Sequence, residues 1–310
     1  MKLVYCGTPI FAVPSLDALV QAGHEVKLVV TQPDRPKGRG MELALSPVKQ
    51  KAIELGLAIA QPEKIRNDLE FRAQLESIAP ECIVIVGYGR IIPRWMLDLP
   101  MHGNINLHAS LLPKYRGAAP IQWAIAEGET ITGNTTMRID EGLDTGDILL
   151  QRELAILPGE TSVQLAPRLA AMGAELLLET IAALANHCVQ PVAQEHSRAT
   201  LAPILKREDG RVDFTRDAGA ICNRFRGFQP WPGAFTSFRG KQLTLHSISA
   251  IDSAPSVAPA EVVIAGERLI AGCGRGTAIA IEELQLEGKR RMSAREFING
   301  YHPKPGERLG

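Results

Sequence analysis

The sequence predicts an α/β protein in two parts, a Rossmann-like, mostly parallel sheet followed by a small OB-like β-barrel. Three observations predict it. Through about the first 190 residues, short β-branched runs alternate with helical stretches, the rhythm of βαβ units. Residues 188–206 lose that periodicity. From residue 207 onward short strands with glycine turns take over, as in a small β-barrel or sandwich. The expected division is a first domain at 1–188, a linker at 189–206 and a second domain at 207–310.

Each element has its own warrant. "KLVYC" (2–6), "VKLVVT" (26–31), "CIVIVG" (82–87) and "NINLH" (104–108) are short apolar runs of strand length. Helices are expected through "SLDALVQAG" (15–23) and "SPVKQKAIELG" (46–56). A long helix is expected over 161–186, where Thr161 and Gln164 have capping-box spacing and Pro167 predicts a bend. In the second part, "FTSFRGKQLTLHSI" and "RLIAGCGRGTAIAIEEL" read as strands joined by glycine turns.

Length and charge narrow the function classes. At 310 residues the chain is long enough for two cores. It carries 34 Lys+Arg against 34 Asp+Glu, so no overall field draws it to a polyanion, and such a partner must be met by local patches. Residues 207–310 are the more basic part, with 15 Lys+Arg against 12 Asp+Glu. The five cysteines are scattered without CxxC spacing, which argues against a disulfide framework or a zinc site and fits a reducing cytoplasm. No apolar run reaches membrane-spanning length, and no leader peptide is expected.

Three stretches carry chemistry. In "NINLHASLLPKYRG" (104–117), Asn106 and His108 share one strand face while Ile105 and Leu107 take the other. At the carboxyl end of a parallel strand that face meets the ligand crevice. An amide and an imidazole there can bind an oxygen that becomes negative during acyl transfer. In "RIDEGLDTGDILL" (138–150) a glycine-rich turn can aim a carboxylate at a histidine, but composition does not separate Asp140, Glu141, Asp144 and Asp147. No His or Cys cluster accompanies these acids, so metal is not expected. "TQPDRPKGRG" (31–40) places Arg35, Lys37 and Arg39 on a loop suited to a phosphate backbone. Last, "RFRGFQPWPGAF" (224–235) reads as an apolar plug; "CGTP" (6–9) lacks the glycines of a nucleotide cradle.

Together "NLHASLLPKYRGAAPIQWAI", "DEGLDTGDIL", "TQPDRPKGRG", "VGYGRIIP" and "FQPWPG" resemble the folate-dependent formyltransferases over nearly the whole chain, and within them the branch acting on methionyl-tRNA. The resemblance implies the formyltransferase fold, with Asn106, His108 and Asp144 as catalytic triad. It implies that Ser110, Leu111, Leu112 and Pro113 line the folate site. Tyr88, Gly89, Arg90, Ile91 and Ile92 would hold the pterin by their backbone. It also implies that Arg35, Lys37 and Arg39 meet the acceptor arm of initiator tRNA, supported by the barrel domain. The formyl donor would be 10-formyltetrahydrofolate, with no metal, in a cytoplasmic monomer. Pro167 departs from the family pattern. The nearest alternative is a formyltransferase acting on an amino-sugar nucleotide. A formate-releasing hydrolase and a non-catalytic tRNA- or folate-binding protein are the more distant ones.

Overall fold

The computed structural model describes residues 1–37, 42–251, 257–304 and 306–310. Its contacts divide the chain into two compact units. One holds Met1–Pro120, Ile131–Ala155 and Gln164–Pro203; the other holds Ile121–Thr130, Ile156–Val163 and Ile204–Gly310. Most of the stretch expected as a linker thus packs within the first unit, and two short segments from the expected first domain belong to the second.

The first unit is built in chain order from β1 (Lys2–Gly7), α1 (Val13–Gln21), β2 (Glu25–Val30), β3 (Arg35–Lys37), β4 (Glu42–Ala44), α2 (Pro47–Glu54), β5 (Ile59–Ala60), α3 (Leu69–Ile78), β6 (Cys82–Val86), α4 (Arg94–Leu97) and β7 (Asn104–His108). Helix α5 (Pro120–Ala126) falls almost wholly in the second unit, after which β8 (Ile131–Arg138), β9 (Ile148–Ala155) and the long α6 (Ser162–Ala185) return to the first. The sheet order is β5-β2-β1-β6-β7-β8-β9. Its first five strands are mutually parallel; β8 runs antiparallel to β7, and β9 antiparallel to β8. Strands buried on both faces need no polar alternation, which is why β6 reads as the continuous run "CIVIV".

Local signals set several helix starts. Ser46 accepts the Lys49 amide at 3.1 Å with Pro47 at the first helical position. Asp68 does the same for Phe71 at 2.9 Å and starts α3, a helix the sequence reading passed over. Pro167 lies inside α6, which nevertheless remains one continuous helix. Expected strands and observed ones agree closely, and "NINLH" is β7 itself.

Two apolar layers hold the sheet. Ile105 and Leu107 pack with Leu177 and Ile181 of α6 and Leu16 and Leu19 of α1. On the opposite face Val4, Ile83 and Ile85 meet Phe71 and Leu75 of α3 and Met96 of α4. Each such buried side chain contributes roughly 1.5–3 kcal/mol of transfer free energy. The parallel register pairs Ile83 with Asn104 and Ile85 with Asn106, so Asn104, Asn106 and His108 rise along the α3/α4 side toward the carboxyl end of the sheet.

In the second unit α7 (Ala218–Gly227) precedes β10 (Ala234–Phe238), β11 (Lys241–Ile251), β12 (Val262–Ala265), β13 (Arg268–Gly272), β14 (Ala278–Leu286), β15 (Met292–Ser293) and α8 (Ala294–Tyr301). The antiparallel sheet runs β10-β11-β14-β13-β12, with β15 beside β14. Arg239 and Gly240 make the two-residue β10–β11 hairpin, both at positive φ (50° and 75°) as that turn requires. Phe238 and Phe297 pack edge-on at 5.0 Å in the core, and Ser293 with Glu296 forms a capping box on α8. Phe228 of the aromatic stretch is buried against Trp123 of α5 at 5.2 Å, whereas Trp231 is 54% exposed. Among the described residues no helix is long and apolar enough to cross a membrane, and no group of three or more potential metal ligands occurs.

Candidate active site

Strand β7 delivers two different side chains to its carboxyl end. Asn106 is half-buried, and its amide makes no hydrogen bond among the described residues. His108 is 6% exposed and engaged on both edges. Its Nε2 lies 2.9 Å from the Tyr115 carbonyl, and its Nδ1 faces Asp144 Oδ2 at 3.7 Å. A carbonyl oxygen only accepts, so Nε2 carries the proton in this arrangement.

Both partners of the imidazole come from non-glycine residues in the left-handed region, Tyr115 at φ 60° and Asp144 at φ 51°. Such conformations cost of order 1–3 kcal/mol each and persist where the surroundings over-determine them. The surroundings here are dense. Tyr115 N–H donates to Thr200 Oγ1 at 2.9 Å, and Asp144 Oδ2 accepts Gly117 N–H at 2.9 Å. Gly117 has φ 122°, and a Cβ on it would stand 2.6 Å from the Ala202 carbonyl; on Gly146 it would stand 2.0 Å from that of Arg138. Neither position accepts a side chain.

The four acids that composition left equivalent have separate tasks. Asp140 accepts Gly142 N–H and Thr145 Oγ1–H, which shapes the turn. Glu141 pairs with Arg94 at 2.9 Å, Asp147 is exposed, and Asp144 alone meets the histidine. The residues after β7 are pinned from beneath. Thr135 Oγ1 donates to the Ser110 carbonyl at 2.7 Å and accepts Leu112 N–H, while Gln151 Nε2 donates to the Leu112 carbonyl at 2.9 Å. Ser110 Oγ donates to the Lys114 carbonyl at 2.7 Å, so this hydroxyl closes its own turn. Leu112 is buried and followed by a cis peptide to Pro113; Leu111 and Pro113 are half-buried.

At the end of β6 the Tyr88 carbonyl accepts Gln32 Nε2–H at 2.8 Å, and Gly89 turns the chain at φ 72°. Burial pushes the Tyr88 phenol up, so it stays protonated. Arg90 donates to the Glu63 carbonyl at 2.6 Å, Ile91 is 89% exposed and Ile92 packs on the core. Arg35 is exposed, Lys37 ends β3, and Arg39 lies outside the described residues. Burial pushes the thiols of Cys6 and Cys82 up, the latter to about 12, so neither is a nucleophile at neutral pH.

Sequence reasoning passed over three contributors: Thr200, Arg116 and Gln194. Thr200 and Gln194 lie in the expected linker and carry no local signal; Arg116 sat unexamined inside "SLLPKYRG".

Comparison with known proteins gives the family. Residues 1–181 match the Formyl transferase family, and 204–302 match the Formyl transferase C-terminal domain. The methionyl-tRNA formyltransferase of Koribacter versatilis is 63% identical over 310 residues, covering 100% of this chain and 99% of the relative. That of Acidobacterium capsulatum is 62% identical, with 100% of both chains covered. Among solved structures, the N-formyltransferase from Helicobacter canadensis, in complex with folinic acid and dTDP-3-aminofucose, aligns with TM-score 0.68 over 91% of this chain and 98% of that one, at 18% identity. HypX from Aquifex aeolicus, with tetrahydrofolic acid, aligns with TM-score 0.62 over 99% of this chain and 48% of that one, also at 18% identity. These two likenesses are of fold. Both halves of the chain match in order, and the relatives match from end to end: the protein belongs to the formyltransferase family.

Proposed function

We propose that this protein transfers the formyl group of 10-formyltetrahydrofolate to the α-amine of methionyl-initiator tRNA, for translation initiation. The observation that carries the reading is an uncommitted amide, Asn106, placed two residues from a histidine held by a carboxylate, on the fold of a formyltransferase. The end-to-end likeness to methionyl-tRNA formyltransferases favours tRNA over an amino-sugar nucleotide as acceptor. The donor's site fits a folate. Half-buried Leu111 and Pro113 and exposed Ile91 offer apolar surface, while the turns at 88–89 and 110–113 are held at their backbone carbonyls by the side chains of Gln32 and Gln151.

An α-amino group has a reference pKa of about 8, so a useful free-base fraction exists at neutral pH. The amine nitrogen attacks the formyl carbon, and the carbonyl electron pair moves onto oxygen. Asn106 Nδ2 donates to that oxygen. His108 acts as a second donor only by exchanging the Tyr115 carbonyl for it, so Asn106 has the larger share. Asp144 supports positive charge on the imidazole as the amine loses a proton and N10, the leaving nitrogen, gains one when its bond to the formyl carbon breaks. Arg35, Lys37 and Arg39 contact acceptor-arm phosphates, and the antiparallel second unit supports the stem.

The test is transfer from 10-formyltetrahydrofolate to methionyl-initiator tRNA, beside an amino-sugar nucleotide and a no-acceptor control. Transfer to tRNA alone is expected. Transfer to the sugar alone, or formate release without an acceptor, overturns the assignment of substrate.

A further inference from the structure

We propose that Gln194 is a positioning residue for this reaction, holding the Asp144 turn through a bridge to the buried guanidinium of Arg116; the proposal rests on the function argued above. Arg116 is 7% exposed. Its guanidinium has no carboxylate within ion-pair distance among the described residues, yet it carries a permanent charge. Its partners are neutral. Gln194 Oε1 accepts from Nε at 3.1 Å and from Nη2 at 2.6 Å, and His196 Nδ1 lies 3.1 Å from Nη2.

The amide's other end is equally committed. Gln194 Nε2 donates to the Asp144 carbonyl at 2.9 Å and to the Gly146 carbonyl at 2.7 Å. One amide therefore uses both acceptor positions on a cation and both hydrogens on the turn that sets Asp144 at φ 51°. Reversing it would set donors against donors, so its orientation is fixed. A cation on the oxygen also polarises the amide and strengthens its N–H donors. The bridge closes on itself. Arg116 precedes Gly117, whose N–H holds the Asp144 carboxylate, and the Arg116 backbone is bonded to Thr200 and Ala202. Gln194 thus bridges the two segments that meet at His108 without touching the reacting atoms.

The decisive variant is Gln194→Glu. It keeps an acceptor for the Arg116 guanidinium, so the buried charge stays partnered, but its carboxylate cannot donate to the carbonyls at 144 and 146. A misplaced catalytic group lowers turnover by ~10- to 100-fold, with KM for tRNA and folate changed little. In an Asp144→Asn background the same substitution should lower kcat no further. Gln194→Met, which loses both halves of the bridge, should behave alike in activity and unfold at lower temperature. Amide exchange at Gly117, measured by NMR, should accelerate in Gln194→Glu whatever the acceptor. Unchanged Gly117 exchange, or kinetic losses that multiply in the double variant, would overturn the bridge. A wild-type protein inactive on methionyl-tRNA would overturn the function instead, and Gly117 exchange would still decide the bridge.

Discussion

Asp144 Oδ2 stands 3.7 Å from Nδ1 of His108 while accepting the Gly117 amide at 2.9 Å. One carboxylate oxygen is therefore shared between a backbone donor and the imidazole. Asp144→Asn keeps the shape and removes the charge. Turnover should fall on the order of 100-fold or more, the usual worth of a positioned acid–base group, with little change in thermal stability. Steady-state kinetics with both substrates saturating measures it, and full activity in the variant would dismiss the assigned role.

Asn106 differs from Asn104, two residues earlier on the same face. Asn104 is buried and spends its amide on the Met96 and Leu97 carbonyls at 3.0 and 3.1 Å, whereas Asn106 spends its own on nothing described. Asn106→Ala should lower kcat by about 100- to 1000-fold, as for loss of one oxyanion donor, and leave equilibrium binding of the folate nearly unchanged. Asn104→Ala should lower stability more than Asn106→Ala does. A reversed order in denaturant unfolding would contradict this division of tasks.

The basic loop should act through ionic strength. Replacing Arg35, Lys37 and Arg39 together by alanine should raise KM for tRNA and flatten the salt dependence of binding by ~2 to 3 logarithmic units of slope if each meets one phosphate. Folate binding should not move. Titrations of tRNA binding at several salt concentrations decide it, and an unchanged slope removes the loop from the interface.

In the second unit, hydrogen bonds from Arg239 hold the Glu307 carboxyl down to about 2. Its unfolded value lies near 4.3, about the reference for glutamate. The folded state therefore binds this proton less readily. The stabilisation is complete above the unfolded value and is lost as pH falls toward the folded one. Both side chains are partly solvated, which limits the effect to about 1 kcal/mol or less. Glu307→Gln should destabilise the protein more at pH 6 than at pH 3 in denaturant titrations. Equal losses at the two pH values would show that the pair's charge is unimportant.

Much of this protein is determined within short windows of sequence. Residue alternation along "NINLH" is enough to put Asn106 and His108 on one face and Ile105 and Leu107 in the core, because a strand's side-chain period is two. The strands, the glycine turns and the change of texture near residue 207 are local in the same sense. What only the tertiary structure decided is which distant groups meet. Composition made Asp140, Glu141, Asp144 and Asp147 equivalent; Glu141 and Asp144 were told apart by Arg94, Gly117 and His108, which lie 27 to 47 residues away from their partners. The segment 194–202 looked like a linker because its backbone makes only one short 3-10 turn, at His196–Arg198, which is too brief to leave a periodic signature. Its bonds go to Tyr115, Arg116, Asp144 and Gly146, and it supports the site for that reason.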